Sequence, residues 1–207
     1  MGADGVELDV RRTADGQLVV HHNAALDDGR VIAVTPTADL PGHVPTLTDA
    51  LDACEGMWVN VEIKNDHREP DFDPLDEIAD RTMALLIARG EPERWLISAF
   101  RIETVDRCRA LADRGALPIR TAWLTSLVPD GVGAMLVARG HSALHPWVNA
   151  LQQATIDECH EHGLDVNTWT CDDPERMREL IEWGVDGICT NVPDVAVSVV
   201  AEARRGR

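Results

Sequence analysis

The sequence predicts an α/β chain folded as a (β/α)8 TIM-type barrel that is incomplete, with the first β/α unit absent. Short β-type runs alternate with helical stretches over almost all of the 207 residues, the pattern of a parallel sheet wrapped by helices. Seven such units at about thirty residues each fall one unit short of the roughly 250 residues of a closed eight-unit barrel. No Gly-x-Gly-x-x-Gly turn follows a strand, so the dinucleotide-binding form of the competing doubly wound sheet has no support.

In chain order, the strands are expected at Gly5–Val10, Val59–Lys64, Trp95–Phe100, Ile119–Leu124, Ala143–His145, Asp165–Thr170 and Gly187–Thr190. Helices are expected at Leu47–Cys54, Pro74–Arg89, Ile102–Arg114, Gly131–Arg139, Ala150–His162, Pro174–Trp183 and Asp194–Arg204. Thr46, Asp73-Pro74 and Asp173-Pro174 supply helix-start signals, and Gly90, Gly115, Gly140, Gly163 and Gly184 supply stops. Thr13-Ala14-Asp15-Gly16 followed by Leu18-Val19-Val20-His21-His22 reads as a turn and a returning strand. Residues 23–45 form the longest stretch without periodicity, and such loops often carry function. The expectation is a single domain over residues 1–207, with the hairpin and loop 13–45 above the barrel mouth.

A net charge of -17 and a pI near 4.7 give a surface field that repels phosphate backbones and anionic headgroups. Nucleic acid and stable membrane association are therefore not expected. A site for a phosphate ester on such a chain needs local reversal of sign, by a divalent cation or by placed basic residues. The five cysteines are scattered singly, without a Cys-x-x-Cys pair, and read as thiols of a reducing compartment. No run is apolar enough to span a bilayer, and Glu7, Asp9 and Asp15 occupy the place of a signal peptide. Cytoplasmic location follows for the chain as written; an export signal upstream of Met1 would change it.

Period two on Gly5–Val10 puts Glu7 and Asp9 on one face and Val6, Leu8 and Val10 on the other. Two neighbouring carboxylates need a cation or water to offset their repulsion; a solvated acidic edge is the alternative. The antiparallel return brings His22 close to opposite Glu7, within a residue of register, where an imidazole suits acid or base work. Exposed turn histidines are the plainer account. Asn60, Glu62 and Lys64 share a face that a parallel barrel normally fills with branched apolar residues. Metal ligation by Glu62 and phosphate contact by Lys64 would explain them, and a surface ion pair is the competing explanation. Trp169 ends a strand, where barrel active sites assemble, and can pack on a small polyol. Trp58, Trp95, Trp123 and Trp183 read as core.

The ordered set of motifs resembles the glycerophosphodiester phosphodiesterase family. Gly-Ala-Asp-Gly-Val-Glu-Leu-Asp-Val at 2–10, Thr-Ala-Asp-Gly at 13–16 and Val-Val-His-His at 19–22 are similar to its second block. Val-Pro-Thr-Leu at 44–47, Val-Glu-Ile-Lys at 61–64 and Ile-Ser-Ala-Phe at 97–100 follow in the family's order, as do the segments 163–170 and 184–193. The resemblance implies a barrel hydrolase of lipid metabolism that uses Mg²⁺ or Ca²⁺ to cleave glycerophosphodiesters to glycerol 3-phosphate and an alcohol. It implies Glu7, Asp9 and Glu62 as metal ligands, with His22, Glu62 and Lys64 in catalysis. Lys64, Trp169 and Phe100 would contact substrate, Lys64 at the phosphate and Trp169 as a wall of the glycerol pocket.

Three departures from the family pattern stand out. The His-Arg-Gly strand and Pro-Glu-Asn segment are not present, and Asn23 and Asn191 stand where the family usually has Asp. The chain is then a late start or a truncation, with activity impaired by the loss of the first motif. A non-catalytic barrel that binds a phosphate ester, and a related enzyme acting on lysophospholipid or sphingolipid headgroups, are the alternatives. An open barrel edge would also favour self-association and expose Val195, Val199 and Val200.

Overall fold

The computed structural model describes residues 2–205, which divide into two compact units, Gly5–Thr121 and residues 2–4 together with 122–205. The first unit starts with β1 (Gly5–Arg12), which turns through Asp15-Gly16 into β2 (Leu18–Val20). It continues through α1 (Leu47–Ala53), β3 (Trp58–Ile63), α2 (Glu77–Arg89), β4 (Trp95–Ala99) and α3 (Ile102–Arg114). β3 pairs in parallel with β1 on one side and β4 on the other, while β2 runs antiparallel along Val10–Arg12. Val59, Val61 and Ile63 are buried, and so is the opposite face of β3 from Asn60 to Glu62, as expected of a strand covered on both sides. Ile78, Ala79, Met83 and Leu86 form the buried stripe of α2, and Val105, Cys108 and Ala112 that of α3.

Residues 23–45 fold on themselves. Leu26, Ile32 and Val44 join Val19 in a small core, with Leu40 against it, and two short 3-10 turns at Ile32–Val34 and Thr37–Asp39 complete the loop.

In the second unit, β5 (Arg120–Thr125, from Ala122 on), β6 (Ala143–Pro146), β7 (Asp165–Thr168) and β8 (Gly187–Ile188) pair in parallel in that order. They alternate with α4 (Val132–Ala138), α5 (Gln153–Glu161), α6 (Pro174–Glu182) and α7 (Pro193–Arg205). β8 is half-buried and has β7 as its strand neighbour. A Cβ on Gly187 would stand 2.4 Å from the Asn167 amide oxygen, so any side chain there would have to displace that amide.

Several sequence expectations change. The helix expected from Pro74 begins at Glu77. Asp73 still acts as a start signal, but through a looser turn in which its carboxylate accepts from Leu75 N and Ile78 N at 3.1 and 3.0 Å. Asp76 takes a left-handed conformation at φ 54°. That conformation costs roughly 1–2 kcal/mol, and hydrogen bonds from Asn65, Thr104 and Arg101 offset it. α3 reaches Gly115 in ordinary helical geometry, and Ala116 instead carries the positive φ of 48°. Of the tryptophans read as core, Trp95 is fully buried but Trp58 is 41% exposed. The Trp58 indole lies over Gly5, where an added Cβ would meet it at 2.4 Å. Val199, expected to be exposed, is buried on α7, because it lies on the stripe the helix turns inward.

Candidate metal centre and active site

The site is built from the face that β1 and β3 share. Parallel pairing aligns Glu7 with Asn60 and Asp9 with Glu62, and β4 extends the second row to Ser98. Residues aligned in register point to the same side of a sheet, so two rows of polar groups stack on one face. Glu7, Asp9 and Glu62 each offer a carboxylate oxygen within 4.8 Å of the others. The acidic-edge reading of Glu7 and Asp9 is thus replaced: the sequence-predicted ligands converge. Hairpin register alone could not have placed Glu62, which comes from a strand more than fifty residues later.

Lys64 follows β3 and turns its ammonium back into this cluster, 2.8 Å from Asp9 Oδ1 and 2.5 Å from Glu62 Oε1. It is 11% exposed and Glu62 7%, so this is an enclosed ion pair rather than the surface pair that sequence alone left open. Burial, with Asp9 and then Glu62 adding to it, pushes the Glu7 carboxyl up to about 8 against the pull of Lys64. Burial also raises Glu62, with Lys64 opposing and Asp9 adding. Lys64 is raised as well: burial works to lower it, and Glu62 and Asp9 outweigh that. One ammonium cannot neutralise three carboxylates: with all three ionised the deficit is two charges, and without a cation a raised carboxyl keeps its proton instead.

The donor set fits a hard divalent cation. Buried Glu7 Oε1 and Asn60 Oδ1 have no hydrogen-bond partner, and buried polar oxygens are rarely left so. The carboxylates and the amide and hydroxyl oxygens of Asn60 and Ser98 are the ligand chemistry of Mg²⁺ and Ca²⁺.

His22 leaves the hairpin ladder, which ends at Val10 opposite Val20, so it is not opposite Glu7 in a strand. His21 N still donates to Asp9 O at 2.9 Å, which keeps the segment on β1. The His22 ring is exposed, with Nδ1 2.9 Å from Asn23 Oδ1, and lies near enough to influence the charge of Glu62. Phe100 follows β4 two residues past Ser98, at the end of the sheet where Lys64 follows β3, and is half-buried. Trp169 belongs to the second unit, half-buried, its indole N–H donating to His145 O at 2.8 Å. Asn167 beside it donates to the buried His145 ring at 3.0 Å.

Arg11 escaped the sequence reading. It lies two residues past Asp9 on the same face, fully buried, and its guanidinium meets Glu69, Asp71 and the carbonyls of His21 and His22. The signal was present: the period-two face of Glu7 and Asp9 continues to Arg11, and a buried arginine must have partners.

Comparison with known proteins fits this geometry. The model of the glycerophosphoryl diester phosphodiesterase family matches residues 1–195. A glycerophosphodiester phosphodiesterase of Caldanaerobacter subterraneus is 26% identical over 97% of this chain and 87% of its own length. The crystal structure of a glycerophosphodiester phosphodiesterase from Parabacteroides distasonis superposes with a TM-score of 0.83 at 22% identity, covering 98% of this chain and 85% of that one. An Oleispira antarctica phosphodiesterase in complex with its product sn-glycerol-3-phosphate gives 0.80 at 21% identity, covering 97% and 86%. These likenesses carry the fold, an α/β chain of the incomplete (β/α)8 TIM type.

Proposed function

The chain belongs to the glycerophosphoryl diester phosphodiesterase family, and from that premise we propose that it hydrolyses glycerophosphodiesters to glycerol 3-phosphate and an alcohol with the help of Mg²⁺ or Ca²⁺. The observation that carries the reading is the convergence of Glu7, Asp9 and Glu62 within 4.8 Å, with a charge deficit that a divalent cation matches. Glu7, Asp9 and Glu62 would hold the ion, whose chemistry there is to polarise the phosphoryl oxygens. The binding of sn-glycerol 3-phosphate by the Oleispira relative supports the substrate class.

The chain's own residues supply the rest. The Lys64 ammonium, fixed by Asp9 and Glu62, is a positive point charge for a phosphate oxygen. His22, exposed beside the carboxylate face, exchanges a proton with the attacking or leaving oxygen. Phe100, just past β4, gives an apolar wall for the glycerol carbons. Asn23 orients the His22 ring through a neutral amide, its Oδ1 2.9 Å from Nδ1. Of the large apolar residues in loop 23–45 only Val34 is exposed, and the loop also carries exposed Asp27, Asp28 and Arg30, which favours a soluble diester over a lysophospholipid or sphingolipid headgroup. Cytoplasmic location and self-association through the half-buried β8 edge complete the reading. Among the described residues no cysteine forms a disulfide and no helix is long and apolar enough to cross a membrane.

The test is release of glycerol 3-phosphate from glycerophosphocholine by this chain with Mg²⁺, with Ca²⁺ and with EDTA. Metal-dependent release that is lost in Glu62→Gln is the expected result. Substrate binding without turnover would move the chain to the non-catalytic reading, and light scattering on the same samples decides self-association.

A further inference from the structure

We propose that Arg11 is a positioning residue that fixes the backbone of His22 relative to the carboxylate face; this rests on the role given to His22 above. Arg11 lies on the strand that carries Glu7 and Asp9, and its side chain is fully buried. Its Nε donates to His21 O at 3.2 Å and to His22 O at 3.1 Å, and Nη2 donates to His22 O at 2.6 Å. The other side of the fork is held by loop 64–76, which leaves β3 directly after the site residues. Nη1 donates to Glu69 Oε2 at 2.8 Å and to Asp71 Oδ2 at 2.6 Å, and Nη2 to Glu69 Oε1 at 3.1 Å.

One guanidinium therefore joins the three segments from which the site is assembled: β1, the His21-His22 turn and the chain beyond Lys64. Among the described residues the His22 ring has only its neighbour Asn23 as a hydrogen-bond partner, and the ring is exposed, so its place relative to Glu62 is set mainly through its backbone. Past Val20 that backbone keeps one bond to β1, from His21 N to Asp9 O at 2.9 Å, and the bonds from Arg11 to the His21 and His22 carbonyls hold it beyond the paired residues. Loop 64–76 is closed at its base, where Asn65 bonds Asp73 and Asp76, so Glu69 and Asp71 hold the guanidinium from a tied loop. A lysine keeps the charge but cannot serve carbonyls on one side and two carboxylates on the other.

The experiment uses the whole chain with saturating metal and glycerophosphocholine, comparing Arg11→Lys with the double variant Arg11→Gln, Asp71→Asn. The double variant removes the arginine together with the buried carboxylate it neutralises, so that folding is preserved in at least one of the pair. Both variants are expected to lose kcat about 100-fold through misplacement of His22, with KM and the activating metal concentration within about threefold of the unaltered chain. Amide hydrogen exchange at His21–Asn23 is expected to quicken about tenfold or more, while Val61 and Val105 keep their protection. A kcat within about threefold of the unaltered chain, or an even loss of kcat, metal activation and protection throughout, overturns the proposal. Failure of the proposed function shows differently: the unaltered chain does not turn over, or His22→Ala is as active as it. The exchange comparison then decides the positioning claim by itself.

Discussion

The two ends of one strand face treat charge in opposite ways. At Glu7 and Asp9, β1 brings carboxylates against Glu62 with Lys64 as their ammonium partner, and Glu7 Oε1 is left buried and unpaired. Two residues further on, Arg11 is more deeply buried, and Glu69, Asp71 and two backbone carbonyls satisfy it. Burial alone therefore does not mark a functional position; uncompensated charge does. The compensated end can be read as support, and the frustrated end as a place prepared for something that is not protein.

The largest expected effect separates the ends by activity. Glu62→Gln should cost about 10³-fold in kcat/KM, the several kcal/mol a metal supplies to a phosphoryl transition state, and leave the metal-free chain no less stable. Rate assays beside thermal melts in EDTA measure both; a destabilised Glu62→Gln would mean the carboxylate is structural.

The next largest effect falls on stability at the other end. Arg11→Gln leaves Asp71, 5% exposed, without its counter-charge. Removing one partner of a buried pair should cost about 3 kcal/mol in urea unfolding. A loss below about 1 kcal/mol, the value of an exposed pair, would erase the contrast.

A third effect follows pH. Glu7 is raised to about 8 by burial and by Asp9 and Glu62, so between its unfolded value of 4.5 and about 8 the folded chain holds a proton that the unfolded chain has released. The stability this contributes is full below 4.5 and is lost as pH climbs through 8. Metal-free chain should thus weaken by on the order of 2 kcal/mol from pH 5 to 8.5, and Glu7→Gln should flatten that part of the slope. Added Mg²⁺ or Ca²⁺ should restore stability at pH 8.5, because cation replaces proton.

The smallest effect probes the uncharged start of β1. Gly5→Ala sets a methyl 2.4 Å from the Trp58 indole. Since that indole is 41% exposed and can turn aside, the cost should be about 1 kcal/mol, seen as a small fall in melting temperature with kcat unchanged.

The sequence by itself determined which residues share a face. Strict alternation at Glu7 and Asp9 and again at Asn60, Glu62 and Lys64 is a local property of extended chain, and it survives folding. The alternation of β and α segments was equally local, which is why the seven expected strands lie where expected to within a few residues. Only the tertiary structure decided which row meets which. Parallel register set Asp9 beside Glu62, and pairing across fifty residues leaves no trace in local propensity. It also ended the hairpin at Val20 and left His22 to Arg11, whose partners Glu69 and Asp71 are 58 and 60 residues away. The late start of α2 has the same origin, since Asp76 is held left-handed by Asn65, Thr104 and Arg101 from elsewhere in the chain. Propensity acts over a turn, whereas compensation of buried charge draws on whatever the fold brings near, and that difference separates what could be read from what had to be seen.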